Sequence, residues 1–152
     1  MHQKLANILL VEDNPGDVRL TREAFKKFEG SCAIHVVQDG EQALEYLRQE
    51  GDYTDAVRPN LVLLDLNLPK IDGKQVLREL KADPKLRSIP VVIFSSSRRR
   101  EDVFSTYDDH ANCYITKPYD FDEFEETIKR VADFWLNQVA LPDPLLTWAS
   151  AW

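Results

Sequence analysis

Leu61-Val62-Leu63-Leu64-Asp65-Leu66-Asn67-Leu68-Pro69 is the stretch from which the rest of the chain can be read. Four consecutive apolar residues closed by an acid, with a proline four residues on, are too short a run for a buried helix. They fit a strand covered on both faces, as in a parallel sheet, with Asp65 at its carboxyl end. Four more short apolar runs lie to either side: Ile8 to Val11, Ile34 to Val37, Val91 to Phe94 and Cys113 to Ile115. Between and after them apolar residues recur at helical spacing: Val18, Thr21, Phe25 and Phe28; Ala43, Leu44 and Leu47; Val76, Leu77 and Leu80. Val103, Phe104 and Tyr107 continue the pattern, and Phe124, Ile128, Val131 and Trp135 end it.

Alternating strands and helices connected by right-handed crossovers predict an α/β fold. The expected form is a flavodoxin-like, doubly wound (βα)5 three-layer sandwich with a five-stranded parallel sheet of order 2-1-3-4-5. In such sheets ligands bind beyond the carboxyl ends of the strands, at the topological switch point. The polar stretch from Gly51 to Asn60, with Pro59 near its end, reads as a surface loop before the third strand.

A length of 152 residues suits one domain with a full core. With 43% apolar and 30% charged residues the composition is that of a water-soluble globular protein. No run approaches the roughly 20 apolar residues of a membrane span, and no signal region precedes the first strand, so the expected compartment is the cytoplasm, without membrane contact. A net charge of −7 argues against nucleic acid as a partner, and the one basic run, Arg98-Arg99-Arg100, reads as a solvated helix entrance. Cys32 and Cys113 form no Cys-x-x-Cys pair and no zinc-like cluster with His2, His35 or His110, so they read as reduced structural thiols.

The polar residues that matter stand at strand ends. Glu12 and Asp13 close the first strand, ahead of the turn Asn14-Pro15-Gly16-Asp17; Asp65 closes the third. Adjacent first and third strands bring these three carboxylates into one pocket, and a cluster of hard oxygen ligands calls for a cation such as Mg²⁺. Ser95-Ser96-Ser97 ends the fourth strand and Lys117-Pro118 follows the fifth. A lysine ammonium can meet a phosphate or a carboxylate, and a serine hydroxyl can donate to a phosphate oxygen.

Together, Ile8-Leu9-Leu10-Val11-Glu12-Asp13-Asn14, Leu63 to Gly73, Pro90-Val91-Val92-Ile93-Phe94-Ser95-Ser96 and Tyr114-Ile115-Thr116-Lys117-Pro118 resemble the receiver domain of two-component response regulators, over about residues 5 to 138. The resemblance implies a phosphorylation-dependent switch in a phosphorelay, in which a histidine kinase supplies the phosphoryl group. It makes Asp65 the phosphoacceptor, Glu12, Asp13, Asp65 and the Asn67 carbonyl the holders of Mg²⁺ (Mn²⁺ or Ca²⁺ could substitute in vitro), and Lys117 the phosphate-contacting cation. Ser95 becomes the switch hydroxyl and Tyr114 the aromatic that turns inward, reshaping the helix 4, strand 5 and helix 5 surface. Asn67 and Ser97 flank the path of the hydrolytic water and tune the lifetime of the acyl phosphate. Such a regulator is not a turnover enzyme and catalyses only its own phosphoryl transfer and dephosphorylation. Serine at 95 and at 96 departs mildly from the commonest pattern, which has threonine and alanine there.

The Tyr53 to Pro59 loop and the Phe134-Trp135-Leu136 ending further resemble the small response regulators of bacterial and cyanobacterial phytochromes, which implies a light-sensing kinase as donor. The division expected is a receiver over residues 1–140 and an apolar C-terminal tail over 141–152, with no output domain. Phe121, Phe134, Trp135, Leu136, Trp148 and Trp152 are the candidates for a homodimer interface; packing of the tail within one chain is the alternative. Two other classes compete. A haloacid-dehalogenase-type phosphatase would want an aspartate two residues after its nucleophile, where Asn67 stands. A pseudo-receiver would lack one of the acids or Lys117, and none is missing.

Overall fold

The computed structural model describes residues 5–143. Five strands, β1 (Ala6–Val11), β2 (Cys32–Val37), β3 (Leu61–Leu64), β4 (Val91–Ser95) and β5 (Cys113–Thr116), pair in parallel in the order 2-1-3-4-5. Five helices alternate with them: α1 (Pro15–Phe25), α2 (Gly40–Arg48), α3 (Gly73–Ala82), α4 (Arg100–Asp108) and α5 (Phe121–Asp133). This is the doubly wound, flavodoxin-like architecture expected from the alternation of periods.

Strand side chains divide strictly by parity, because successive residues point to opposite faces. Leu9, Val11, Val62, Leu64, Val91 and Ile93 pack under α2 and α3. Ile8, Leu10, Leu61, Leu63, Val92 and Phe94 pack under α1 and α5. Both faces of the sheet are thus dry, which explains why β3 reads as an unbroken apolar run.

Four of the five helix starts are capped by a side chain. Asn14, Asp39, Asp72 and Asp120 accept from the backbone N–H three residues on, at 3.1, 2.7, 3.0 and 3.0 Å. Such caps fix where each helix begins and so where the preceding strand end is aimed.

Two expectations change, and a third gains detail. The stripe Val103, Phe104, Tyr107 does form a helix, but Phe104 and Tyr107 are exposed and Thr106 is the residue α4 buries. The segment after α2 lies at the surface as expected and gains a short 3₁₀ turn over Gly51–Tyr53, with the Tyr53 ring tilted against Tyr46 at 5.4 Å and the Tyr46 hydroxyl donating to the Val57 carbonyl. Beyond α5 the chain tightens into a π turn over Phe134–Gln138, which turns Trp135 into the core. Of the residues considered for a dimer interface, Trp135 is therefore buried by its own fold, and Leu136 is half-buried against the same core. Phe121 and Phe134 are exposed, while Trp148 and Trp152 lie outside the described residues.

Candidate functional site

Pairing register decides which strand ends meet. Val11 faces Leu64 across β1 and β3, and the Asp65 N–H donates to the Val11 carbonyl at 3.1 Å, so Glu12 and Asp65 emerge side by side. On the other flank Ser95 faces Thr116, and the Lys117 N–H donates to the Ser95 carbonyl at 2.7 Å. Four strand ends converge on one cleft.

Lys117 is the electrostatic centre of that cleft. Its ammonium donates to Glu12 Oε1, to Asp17 Oδ2 at 2.8 Å and to Asp65 Oδ2 at 2.9 Å, while being only 6% exposed. Burial alone would lower its pKa; the charge of Glu12, the hydrogen bond to Asp17 and the charge of Asp65 outweigh that and hold it above its ordinary range. Glu12 is raised as well, which for an acid favours the neutral form. Burial pushes it from 4.5 up to about 7, against the attraction of Lys117 and with the added repulsion of Asp65.

Glu12, Asp13 and Asp65 each offer an oxygen, all within 4.8 Å of one another. Counting Asp17, four carboxylates face one ammonium, a deficit of positive charge that a divalent cation would offset. The donor set is all oxygen, and Asp13 is exposed, leaving an open path to the buried pair. Both features fit a hard divalent ion that keeps some of its waters.

The remaining predicted residues lie close by. Asn67 is exposed, and its N–H donates to Asp65 Oδ1 at 3.2 Å. Ser95 is fully buried and its hydroxyl accepts from the Ser97 N–H at 3.2 Å. Ser97 donates to Asp102 Oδ2 at 2.5 Å, and Asp102 is held in turn by Lys74 at 2.5 Å. Tyr114 stands inward, half-buried against the α2–α3 core, its hydroxyl donating to the Ser97 carbonyl at 2.8 Å.

The chain matches the response regulator receiver domain family over residues 8–129. It belongs to that family. This receiver is 43% identical to the response regulator Rcp1 of Synechocystis sp. over 135 residues, covering 89% of this chain and 92% of Rcp1. The crystal structure of the phosphorylated cyanobacterial phytochrome response regulator RcpA superposes with a TM-score of 0.90 at 47% identity, covering 92% of this chain and 100% of that one. That of the Mn²⁺-bound form of Rcp1 gives 0.89 at 42%, covering 91% and 99%. Receivers of this family are phosphorylation switches of two-component systems, signalling regulators served by a histidine kinase and binding a divalent metal.

Two residues of the receiver's cleft were not singled out from the sequence. In the sequence Asp17 belongs to a turn, yet its position in the first turn of α1 turns its carboxylate onto Lys117. The available signal was its place five residues after Glu12, one helix turn past the cap. Gly73 in the sequence is one residue of the stretch that follows Asp65. A Cβ there would lie 2.2 Å from the Asp65 carbonyl oxygen and 2.6 Å from Leu66 Cα. Only glycine lets α3 start so close to the backbone that carries the acceptor carboxylate.

Proposed function

We propose that Asp65 is the phosphoacceptor of this receiver, taking a phosphoryl group from the histidine of a kinase. The observation that carries this reading is the buried Lys117 ammonium set 2.9 Å from Asp65 Oδ2 beside the Glu12–Asp13 pair. An Asp65 carboxylate oxygen attacks phosphorus, the bond from phosphorus to the donor nitrogen breaks, and an acyl phosphate results. Lys117 offsets charge on the phosphoryl oxygens and Ser95 donates to one of them. Glu12, Asp13, Asp65 and the Asn67 carbonyl would hold Mg²⁺, which when bound supplies the positive charge that four acids and one ammonium lack.

Ser95 is the switch hydroxyl, and Tyr114, inward and tied to Ser97, is the aromatic that carries the change to the α4–β5–α5 surface. Asn67 and Ser97 flank the path of the hydrolytic water and tune self-dephosphorylation. The receiver unit is residues 1–140, with 141–152 as an apolar tail, and its proposed compartment is the cytoplasm. The likeness to RcpA supports a phytochrome as the kinase, and the exposed Phe121 and Phe134 support a homodimer.

Intact-mass measurement after incubation with acetyl phosphate and Mg²⁺ tests the acceptor. A gain of about 80 Da, one phosphoryl group, is expected in the wild type and not in Asp65→Asn. An adduct that survives in Asp65→Asn moves the acceptor elsewhere. Absence of an adduct in a folded wild type that also ignores beryllofluoride makes the chain a pseudo-receiver.

A further inference from the structure

The basic run Arg98-Arg99-Arg100 leads from β4 into α4, next to the phosphorylation cleft, and its members differ in what they touch. Arg99 pairs with Glu101 at 3.7 Å, both side chains exposed, as befits a solvated helix entrance. Arg98 spans two loops instead. Its guanidinium donates to the Ser96 carbonyl and to the Lys117 carbonyl, at 3.3 Å each, and its central carbon lies 4.3 Å from the centre of the Tyr119 ring.

The ladder between β4 and β5 stops at the cleft. Its last backbone bond runs from the Lys117 N–H to the Ser95 carbonyl, at 2.7 Å. Residue 118 is proline and has no N–H to donate, and among the described residues no backbone hydrogen bond joins 96–99 to 118–120. Past that point the Arg98 guanidinium bridges the two chains. A planar fork with donors on its edge and a face that stacks can hold two carbonyls and a ring at once, which an ammonium cannot. Both carbonyls belong to functional positions: one directly follows Ser95, and the other is that of Lys117 itself.

We propose that Arg98 is a positioning residue for phosphoryl transfer, a bridge that fixes the spacing between the Ser95 and Lys117 backbones. The inference rests on Asp65 being the acceptor. Lys117 presents one ammonium to Glu12, Asp17 and Asp65 together, so a small shift of its backbone misplaces the charge that meets the phosphoryl group. Ser95 sets the other side of the same site. The role lies in the shape of the guanidinium rather than in its charge: Arg98→Lys keeps the charge but gives up the bridge.

Two measurements on the full chain test the bridge. Adduct formation is followed by intact mass over a range of acetyl phosphate concentrations with Mg²⁺, and amide hydrogen exchange is read without phosphodonor, so that the second does not depend on the acceptor. In Arg98→Ala and Arg98→Lys alike the maximal rate is expected to fall about three- to tenfold, the worth of roughly one hydrogen bond, with the half-saturating concentration unchanged. The Lys117 amide is expected to exchange about fivefold faster or more, with β1 and β3 amides at the wild-type rate. Either readout left at its wild-type value in Arg98→Ala overturns the proposal. So does full recovery in Arg98→Lys, which would make charge sufficient, or a loss confined to the half-saturating concentration, which would mean steering of the anionic donor. Should β1 and β3 loosen too, Tyr119→Leu decides, since it removes the ring and leaves both carbonyl contacts: a slower maximal rate with unchanged half-saturation upholds the bridge, and a wild-type rate overturns it. In a folded wild type that forms no adduct the acceptor reading fails and this role with it, a result distinct from a reactive wild type matched by its variants.

Discussion

The Lys117 ammonium reaches Asp65 Oδ2 at 2.9 Å across 52 positions of sequence, and the same ammonium holds Glu12 and Asp17. Removing it leaves up to three acids facing one another in a mostly buried site. Lys117→Met is expected to lose the acetyl-phosphate adduct and to destabilise the apo fold by about 3–5 kcal/mol at pH 8, as when one partner of a buried pair is deleted. Urea unfolding in chelator should then show partial recovery at pH 5.5, where Glu12 takes up a proton. A variant as stable as wild type at pH 8 would mean that the ammonium is not what balances these acids.

Glu12 dictates a pH dependence of its own. Burial raises its folded pKa from 4.5 to about 7, so between those values the folded state binds more protons than the unfolded chain. Stability from this group is complete below about pH 4.5 and is lost as pH rises through about 7, a change on the order of 3 kcal/mol. Denaturant titrations without divalent ions should show that decline in the wild type, and Glu12→Gln should flatten it. Matching slopes in the two proteins would refute the assignment.

Gly73 bears on the acceptor through space rather than chemistry. Its missing Cβ leaves room for the Asp65 carbonyl, which a methyl group would approach to 2.2 Å. Gly73→Ala is expected to cost about 1–3 kcal/mol, as overpacking usually does, and to slow adduct formation at least tenfold by displacing Asp65. Thermal unfolding and adduct kinetics together test it; full activity in the variant would show that α3 can retreat freely.

Ser97 joins two elements: it accepts from Tyr114 at its carbonyl and donates to Asp102, which Lys74 anchors. If inward Tyr114 and the phosphoryl-like ligand belong to one state, weakening either contact must weaken the ligand by linkage. Tyr114→Phe and Asp102→Asn are each expected to lower beryllofluoride affinity about three- to tenfold, the worth of roughly one hydrogen bond. Because both act on Ser97, the double variant should lose less than the product of the two. Unchanged affinity in both would remove this network from the switch.

Much of this molecule was legible before any coordinates. Short apolar runs closed by Glu12, Asp65, Ser95 and Lys117 announced a parallel sheet and its functional edge, because strand length and period are local properties of the chain. Helix starts are local too, since Asn14, Asp39, Asp72 and Asp120 cap them, although of the four caps Asp39 was not singled out from the sequence. Tertiary structure decided what depends on distance through space. Register alone brings Lys117 to Glu12 and Asp65; the angle at which α1 leaves β1 turns Asp17 into the same cleft; the approach of α3 to Asp65 makes Gly73 obligatory. Facing was also hidden: α4 exposes Phe104 and Tyr107, and the π turn buries Trp135, since which side of a helix is covered depends on neighbours that its own residues cannot specify.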